Sequence, residues 1–384
     1  MSEPEGRGVA WTEERGTSDE GRRRLKAPRR RAGEGADISG PTADPDAEPD
    51  AQVRVTRSRR STLWAGIAAV VIVVVLGYLP YAVYSGTTNL LVDFFLLLVM
   101  ASTWNLLAGY AGLVSVGQQA FIGLGAYFVL ILADHGTSPF LAIPVATLLA
   151  GIVGLPVWWL VSRLRSGYFS ITMWVIASVC ELVIIQISSL GGGTGAALPG
   201  LNLSPTLITA YTYWATMIVA VVVLAVIYYL LRSPIGLVLT AIRDDETGAR
   251  SIGTRVARTR RLVFMVAAAG CGAAGALYII SQQFVVPTAA FSVQWSAEMI
   301  FITIIGGIGT IEGPILGTIV FFVLQQTLSH YGTWYWIILG VVAMAVAIWA
   351  PRGLWGLISD KLGLRLFPVG YYLWPAGSVP RRRR

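Results

Sequence analysis

Long apolar runs recur along this chain, and they limit its possible folds more than any other feature of the sequence. A helix needs about 20 predominantly apolar residues to cross the hydrocarbon core of a bilayer. Runs of this kind occur at Leu63–Tyr84, Leu90–Ala108, Ser115–Leu132, Phe140–Val161, Phe169–Leu190, Tyr211–Leu231, Leu262–Ser281 and Trp334–Ala350. The pattern predicts an all-α polytopic membrane protein with about eight to ten transmembrane helices.

A further apolar stretch, residues 297–328, is interrupted by glycines and predicts a broken or re-entrant segment. Irregular backbone is tolerated inside a membrane only where protein or a water-filled cavity satisfies its polar groups. The residues of the break therefore become candidates for a translocation pathway, although tight helix packing also explains such glycines. They are Gly306, Gly307, Gly309 and Thr310.

Charge is concentrated at the beginning of the chain. Residues 1–60 hold 13 of the 29 Lys and Arg and 12 of the 21 Asp and Glu, with few apolar residues between them. Such a segment buries too little surface to offset the entropy of ordering, so it predicts a disordered cytoplasmic tail. Residues 61–351 then form the predicted transmembrane domain, and residues 352–384 a basic C-terminal tail.

Positive charge near the ends of the apolar runs predicts the orientation of the chain. Arginines just before the first run, Arg57 to Arg60 among them, place the N-terminus in the cytoplasm. Counting crossings places Arg163 and the stretch 232–261 inside as well. Arg381–Arg384 indicate a cytoplasmic C-terminus, which requires an even number of crossings and favours two passes within residues 297–328.

Polar residues inside apolar runs are candidates for function, because burying them in a membrane is costly. The acids are Asp93, Glu181, Glu298 and Glu312, and the amides with the same interest are Gln118 and Gln119. We expect Gln118, Gln119, Glu181 and Glu298 to line a pathway. Interhelical hydrogen bonding is the alternative for all of them, and for Asp93 and Glu312, near segment ends, it is the favoured one.

The sequence predicts neither a metal site nor a catalytic site. Cys180 and Cys271 lie in apolar runs and are expected to be packing residues. His135 and His330 have no partner at ligand spacing. The chain also lacks a Gly-x-x-x-x-Gly-Lys-Ser/Thr phosphate loop, so we expect it to bind no ATP or other cofactor itself.

One charged loop, residues 232–261, separates two of the apolar runs. Ser233-Pro234 predicts a turn, residues 236–242 a short amphipathic helix, and the acidic trio Asp244, Asp245 and Glu246 the start of a second helix that Gly253 ends. A soluble protein is expected to dock on this loop. The candidate docking residues are Gly236, Arg243, Asp244, Asp245, Glu246, Ala249, Arg250 and Gly253.

Four segments, taken in order, resemble the permeases of branched-chain amino acid ABC importers of the LivM type. They are residues 109–127, the run 192–195 before 198–200, the loop 232–261, and residues 306–310 with 313–317. In such importers the coupling loop carries Glu-Ala-Ala-x-x-x-Gly, which fits a groove on the ATPase. Here the matching run is Thr247–Gly253, and Glu246 stands one place early.

The resemblance implies the pathway-forming subunit of an ATP-driven bacterial importer and not an enzyme. It implies two ABC ATPase subunits that hold ATP and Mg²⁺, a second homologous permease, an extracytoplasmic substrate-binding protein and surrounding membrane lipid, with no nucleic acid. The implied location is the inner or plasma membrane, with both termini cytoplasmic. Branched-chain or related amino acids are the implied substrates, and urea and short amides are carried by relatives with the same motifs.

Two other classes of protein remain open from the residues alone. An ion-coupled secondary transporter would account for the intramembrane acids and the broken helix, but not for the long charged loop. A polytopic enzyme acting on a lipid-linked substrate would need His, Asp or Arg clustered at one membrane face, whereas here these residues are dispersed.

Overall fold

The protein is described by a computed structural model. The described residues are 54–56, 74–78, 80, 85–164, 166–201, 203–251, 253–328, 331–332, 334–350, 352–362 and 372–374. The predicted tail 1–60 and the first apolar run lie outside them, apart from 54–56 and the helical residues 74–78 and 80.

Helices make up most of the described chain. They are α1 Ser85–Asn105, α2 Gln119–Asp134, α3 Pro139–Val161, α4 Ser166–Gln186, α5 Pro205–Arg232, α6 Pro234–Asp244, α7 Glu246–Ser251, α8 Val256–Gln282, α9 Pro287–Ala290, α10 Val293–Gly306, α11 Glu312–Leu328, α12 Trp334–Trp349 and α13 Gly353–Leu362. The short strands are β1 Arg54–Thr56, β2 Ala196–Ala197, β3 Phe284–Val285 and β4 Tyr372–Trp374. β1 pairs antiparallel with β4, and β2 with β3.

The membrane character of the chain is confirmed. Six spans in the described part are long and apolar enough to cross a bilayer: Gly86–Tyr110, Pro139–Val161, Gly167–Gln186, Pro205–Arg232, Val256–Gln282 and Pro287–Gly306. The pair α12 and α13, bent by 41°, forms a seventh if it is counted as one span. The other apolar helices, α2 and α11, are shorter than the sequence pattern suggested.

The structure shortens α2 because the chain before it is not helical. α1 ends in a π-helical turn, Leu106–Tyr110, and helix begins again only at Gln119. The irregular stretch 111–118 is held by its own polar contacts: the Trp104 indole donates to the Ser115 carbonyl at 2.8 Å, and the Gly117 amide donates to the Ser115 hydroxyl at 3.3 Å. α2 therefore has 16 residues, about 24 Å of helix.

α8 forms the centre of the bundle, where it packs against α2 and α3. Small residues make this packing close, since a methyl group on Gly275 would overlap the Ile122 carbonyl, and one on Gly125 would overlap the Gly272 carbonyl. Without side chains at these positions, the two backbones approach to direct contact. The large buried side chains Trp104, Phe121 and Phe264 fill the surrounding core.

The broken segment near 297–328 is confirmed as two helices. α10 and α11 lie antiparallel, as their contacts show. Gly306 packs against Gly313 and Gly317, and Gly317 also packs against the Ile302 carbonyl. The backbone between them turns through Gly307 and Gly309, with φ of 129° and 77°. α13, the first part of the predicted C-terminal tail, packs its Gly353 against this turn.

The two ends of the bundle are distinct. At one end, called here the loop end, residues 232–261 lie beside the α3–α4 connection, since Arg250 and Arg260 share a crevice with Ser162 and Leu164. At the opposite end, the Leu198 amide donates to the Gln283 carbonyl at 2.9 Å and β2 pairs with β3. This separation agrees with the crossings counted from the arginines.

Candidate functional site

The loop 232–261 folds as the two predicted helices. Pro234 starts α6, and the Ser233 hydroxyl accepts a hydrogen bond from the Ile235 amide at 3.2 Å. Asp245 separates the helices, and its carboxylate accepts from the Thr247 amide at 2.9 Å at the start of α7. Gly253 follows α7 and has a left-handed backbone conformation, with φ of 82°. Glycine adopts this conformation without strain, so it can end the helix there.

The two loop helices have an apolar side and a charged side. Ile242, Ala249 and Val256 pack together as a small buried cluster with Val238 and Ala241. On the other side, the side chains of Asp244 and Arg250 are 70% and 66% exposed. Among the predicted docking residues, Gly236 and Ala249 are thus buried and structural, whereas Arg243, Asp244, Asp245 and Arg250 are exposed.

Glu246 connects the second loop helix to the membrane core. Its carboxylate pairs with Arg260 at 2.9 Å and with Arg250 at 2.5 Å. Arg260 also donates from Nε to the Ala111 carbonyl at 3.2 Å, at the start of the irregular stretch before α2. The chain of contacts thus runs from α7 through one arginine to the segment that positions α2.

These contacts set the ionisation of Glu246. Partial burial raises the pKa of its carboxyl, but the charges and hydrogen bonds of Arg260 and Arg250 outweigh that effect and lower the pKa below its usual range. A depressed pKa means that the pairs stabilise the fold above the usual pKa of a glutamate and are lost as the pH falls through the lowered value. The connection is therefore intact at neutral pH.

The first loop helix contacts the membrane core at a second point. The Arg243 guanidinium lies against Gly309, with Nη1 3.0 Å from the place of a Cβ atom there. The α10–α11 turn is held in turn by Asn105, which accepts from the Gly309 amide at 2.8 Å and donates to the Thr310 carbonyl at 2.7 Å. Sequence reasoning missed Asn105, although an asparagine within an apolar run is a signal of such a role.

The pathway candidates do not form one cluster. Gly306, Gly307, Gly309 and Thr310 lie at the loop end, close to Arg243 and α13. Gln118 and Gln119 are fully buried at the start of α2. The Gln119 side chain accepts a hydrogen bond from the Ser296 hydroxyl of α10. The side-chain amide of Gln118 forms no hydrogen bond with any described residue. Glu312 is buried at the start of α11.

The remaining acids differ in environment. Glu298 is 2% exposed and accepts a hydrogen bond from Gln294 at 3.0 Å. Asp93 is exposed on α1. Glu181 is half-buried on α4 beside the exposed side chains of Trp174 and Leu182, and no described residue forms a hydrogen bond or ion pair with it.

The described residues contain no group of three or more His, Cys, Asp or Glu side chains placed to hold a metal ion. Cys271 is buried, with its Sγ 3.4 Å from the Thr103 hydroxyl, and Cys180 is half-buried.

These features define a multi-pass helical membrane protein whose charged loop contacts two irregular segments of its membrane core, as suits the membrane subunit of a transport system. Over residues 86–348 the chain matches the family described as "Branched-chain amino acid transport system / permease component". The match covers more than half of the 384 residues, and the chain belongs to this family. The family membership that the motifs indicated is thereby confirmed. The family also confirms that the chain is a transport component and not an enzyme.

Curated relatives agree with this assignment. The chain is 26% identical over 314 residues, 74% of each protein, to the high-affinity branched-chain amino acid transport system permease protein LivM of Escherichia coli (strain K12). Two probable permeases of Methanocaldococcus jannaschii also match: LivH at 23% identity over 64% of this chain and 84% of the relative, and LivM at 24% over 63% and 68%. No solved structure matches significantly.

Proposed function

We propose that this chain is the permease subunit of an ATP-driven ABC importer and forms the translocation pathway for branched-chain amino acids. The proposal is carried by one observation: the exposed, charged loop helices contact both irregular segments of the membrane core, α6 through Arg243 against Gly309 and α7 through the pair of Glu246 with Arg260. Family membership supports the transport role, and the printed names of the relatives support the substrate class.

The loop geometry suggests how ATP hydrolysis on partner subunits would drive this permease. One of two ABC ATPase subunits, which hold ATP and Mg²⁺, would dock on the exposed side chains of Arg243, Asp244, Asp245 and Arg250. Closure of the ATPase pair would move α6 and α7 together, since both pack on one apolar cluster. The movement would reach α2 through Arg260 and the α10–α11 hairpin through Arg243. A bundle with two stable arrangements would then open to one side at a time.

Reversing the loop charges tests this proposal. In membrane vesicles containing this chain with ABC ATPase subunits, a second permease and a binding protein, we expect ATP-dependent uptake of labelled leucine. The double substitution Asp244→Lys with Asp245→Lys should lower that uptake and the amount of ATPase that co-purifies, because both side chains are exposed and lie outside the core. Removal of residues 236–253 should abolish ATPase binding.

The matched control is Asp134→Lys, which reverses an exposed acid at the far end of α2. It should leave ATPase binding unchanged, and membrane insertion should be equal in all variants. Unaltered uptake after the double reversal would exclude a docking role for these acids. Uptake driven by an ion gradient without ATP would replace the proposal with a secondary transporter, and uptake of urea without leucine would change the substrate.

The second homologous permease is proposed to pack on the exposed face of α4. This face carries Ile171, Val175 and Leu182, each at least half exposed, with Glu181 at its edge. An unpaired carboxylate in a membrane helix is costly against lipid, so a protein surface or a water-filled pathway must cover it. Two matching permeases in one organism, LivH and LivM, support a related second chain as the partner.

Photo-crosslinking tests that surface. A benzophenone side chain introduced in place of Leu182, 60% exposed on α4, should crosslink to the second permease in the assembled importer. The control is the same side chain in place of Leu148, which is 64% exposed on α3. Crosslinking to the permease from Leu148 alone would place the interface elsewhere.

A further inference from the structure

A crevice opens at the loop end, between the end of α3, the start of α4 and the helices α7 and α8. Its cavity volume is about 60 Å³, and it is open on one side. Leu113, Trp158 and Phe169 give it apolar walls, and Arg250, Ala257 and Arg260 also line it. Trp158 and Phe169 are themselves buried, so these walls belong to the packed core.

The crevice carries an excess of positive charge. Arg250 and Arg260 share one counterion, Glu246, so one of their two charges is not neutralised within the pair. Arg250 uses one Nη atom in that contact and is 66% exposed, which leaves guanidinium donors for another acceptor. Arg163, on the α3–α4 connection between the crevice residues Ser162 and Leu164, is also exposed.

The surroundings of the crevice suit the boundary of a membrane. Next to its walls, Trp159, Leu160 and Tyr168 expose 77%, 58% and 74% of their surface. Trp and Tyr concentrate where the hydrocarbon core meets the headgroups. The distribution of arginines places the loop end on the cytoplasmic side, where the inner leaflet is rich in anionic lipid.

We propose that this crevice binds the headgroup of an anionic phospholipid from the inner leaflet. The phosphate would accept charge-assisted hydrogen bonds from Arg250, and the acyl chains would lie along Trp159 and Leu160. A soluble ATPase fits the crevice itself less well, because its walls are apolar and lie next to the exposed side chains of Trp159 and Leu160. The proposed ATPase-docking residues Arg243, Asp244 and Asp245 lie outside the crevice, and Arg250 stands where the two proposed surfaces adjoin. A lipid held there bridges α7 to the ends of α3 and α4, and so stabilises the position of the coupling loop.

Lipid binding to the purified full chain tests the proposal without any transport measurement. The chain in detergent is titrated with phosphatidylglycerol, phosphatidylcholine or inorganic phosphate, and bound lipid is counted by native mass spectrometry. We expect phosphatidylglycerol to bind more tightly than phosphatidylcholine, and inorganic phosphate at millimolar concentration not to displace it. Arg250→Gln should weaken phosphatidylglycerol binding about fivefold, the effect of one basic residue near a membrane surface.

Two further variants make the result specific to the crevice. Ala257→Trp fills the space and should abolish the tight binding while leaving every charge in place. Arg243→Gln removes another exposed arginine of the same loop that does not line the crevice, and it should leave binding unchanged. Equal binding of both lipids, displacement by phosphate alone, or equal loss in the Arg243 and Arg250 variants would overturn the lipid site. Because no partner or substrate is present, a failure here is separate from a failure of the importer proposal.

Discussion

Replacing Gly275 with alanine is expected to reduce the stability of the folded protein more than any other single methyl group added to α8. The new methyl would overlap the backbone carbonyl of Ile122 on α2, and a carbonyl in a helix cannot rotate away as a side chain can. Helices α2 and α8 would have to separate, and overpacking of this kind costs about 1–3 kcal/mol. The gain in helix propensity from Gly to Ala, about 1 kcal/mol, offsets only part of that cost.

The measurement is the temperature at which the detergent-solubilised protein loses its monodisperse elution. Gly340→Ala is the matched control, because the same change on α12 meets no atom within 4 Å. The Gly275 variant should unfold at a lower temperature or fail to accumulate, and the Gly340 variant should equal or exceed the original protein. Equal stability of the two variants would contradict the backbone contact between α2 and α8.

Replacing Arg260 with methionine is expected to uncouple ATP hydrolysis from uptake. Methionine keeps an unbranched apolar side chain but loses the pair with Glu246 at 2.9 Å and the bond to the Ala111 carbonyl at 3.2 Å. Residues along a coupling network change the coupling energy by about 0.5–2 kcal/mol, so uptake should fall roughly 2- to 30-fold. Lysine should not restore it fully, because one ammonium lacks the forked geometry of a guanidinium.

The readout that separates coupling from docking is the ATPase activity of the assembled importer. In the Arg260→Met protein the ATPase should still co-purify and hydrolyse ATP, while leucine uptake falls. Arg261→Met is the control, since Arg261 is the exposed neighbour and forms none of the ion pairs of the described loop. Equal loss of uptake in both variants would show a general charge effect and not a specific connection.

The two variants test different parts of one arrangement. Gly275 fixes α2 against α8 in the middle of the bundle, and Arg260 holds the irregular stretch that leads into α2 at the loop end. If α2 moves during transport, the Gly275 contact limits how far α2 can separate from α8. The Arg260 contacts connect α2 to α7, the loop helix that would move it.

Much of the fold could be predicted because it depends on local patterns. Apolar runs of membrane length determine where the helices lie, since every backbone polar group in lipid must be satisfied within its own helix. Ser233, Pro234 and Gly253 are capping and turn residues whose preferences act over a few positions, so the two loop helices were also predictable. The glycines at 306–309 correctly indicated a break.

The position of that break could not be predicted in the same way. That Gly309 and Thr310 line a pathway stays a prediction, and the structure places Gly309 against Arg243 at the loop end. The sequence likewise suggested a full helix from Ser115, whereas the bonds of Trp104 and Ser115 hold an irregular stretch there. Periodicity cannot detect contacts made by one side chain to a distant backbone group.

The sequence by itself determined the class of protein, the positions of the helices and the presence of a charged loop, because hydropathy and capping act within one segment. The tertiary structure alone decided which distant segments are bonded to one another. Asn105 forms hydrogen bonds with Gly309 and Thr310, which lie 204 and 205 residues further along the chain. Arg260 forms one with Ala111, which lies 149 residues earlier. Such pairings arise from the packing of the whole bundle, since close glycine contacts bring those backbones within reach of a single polar side chain.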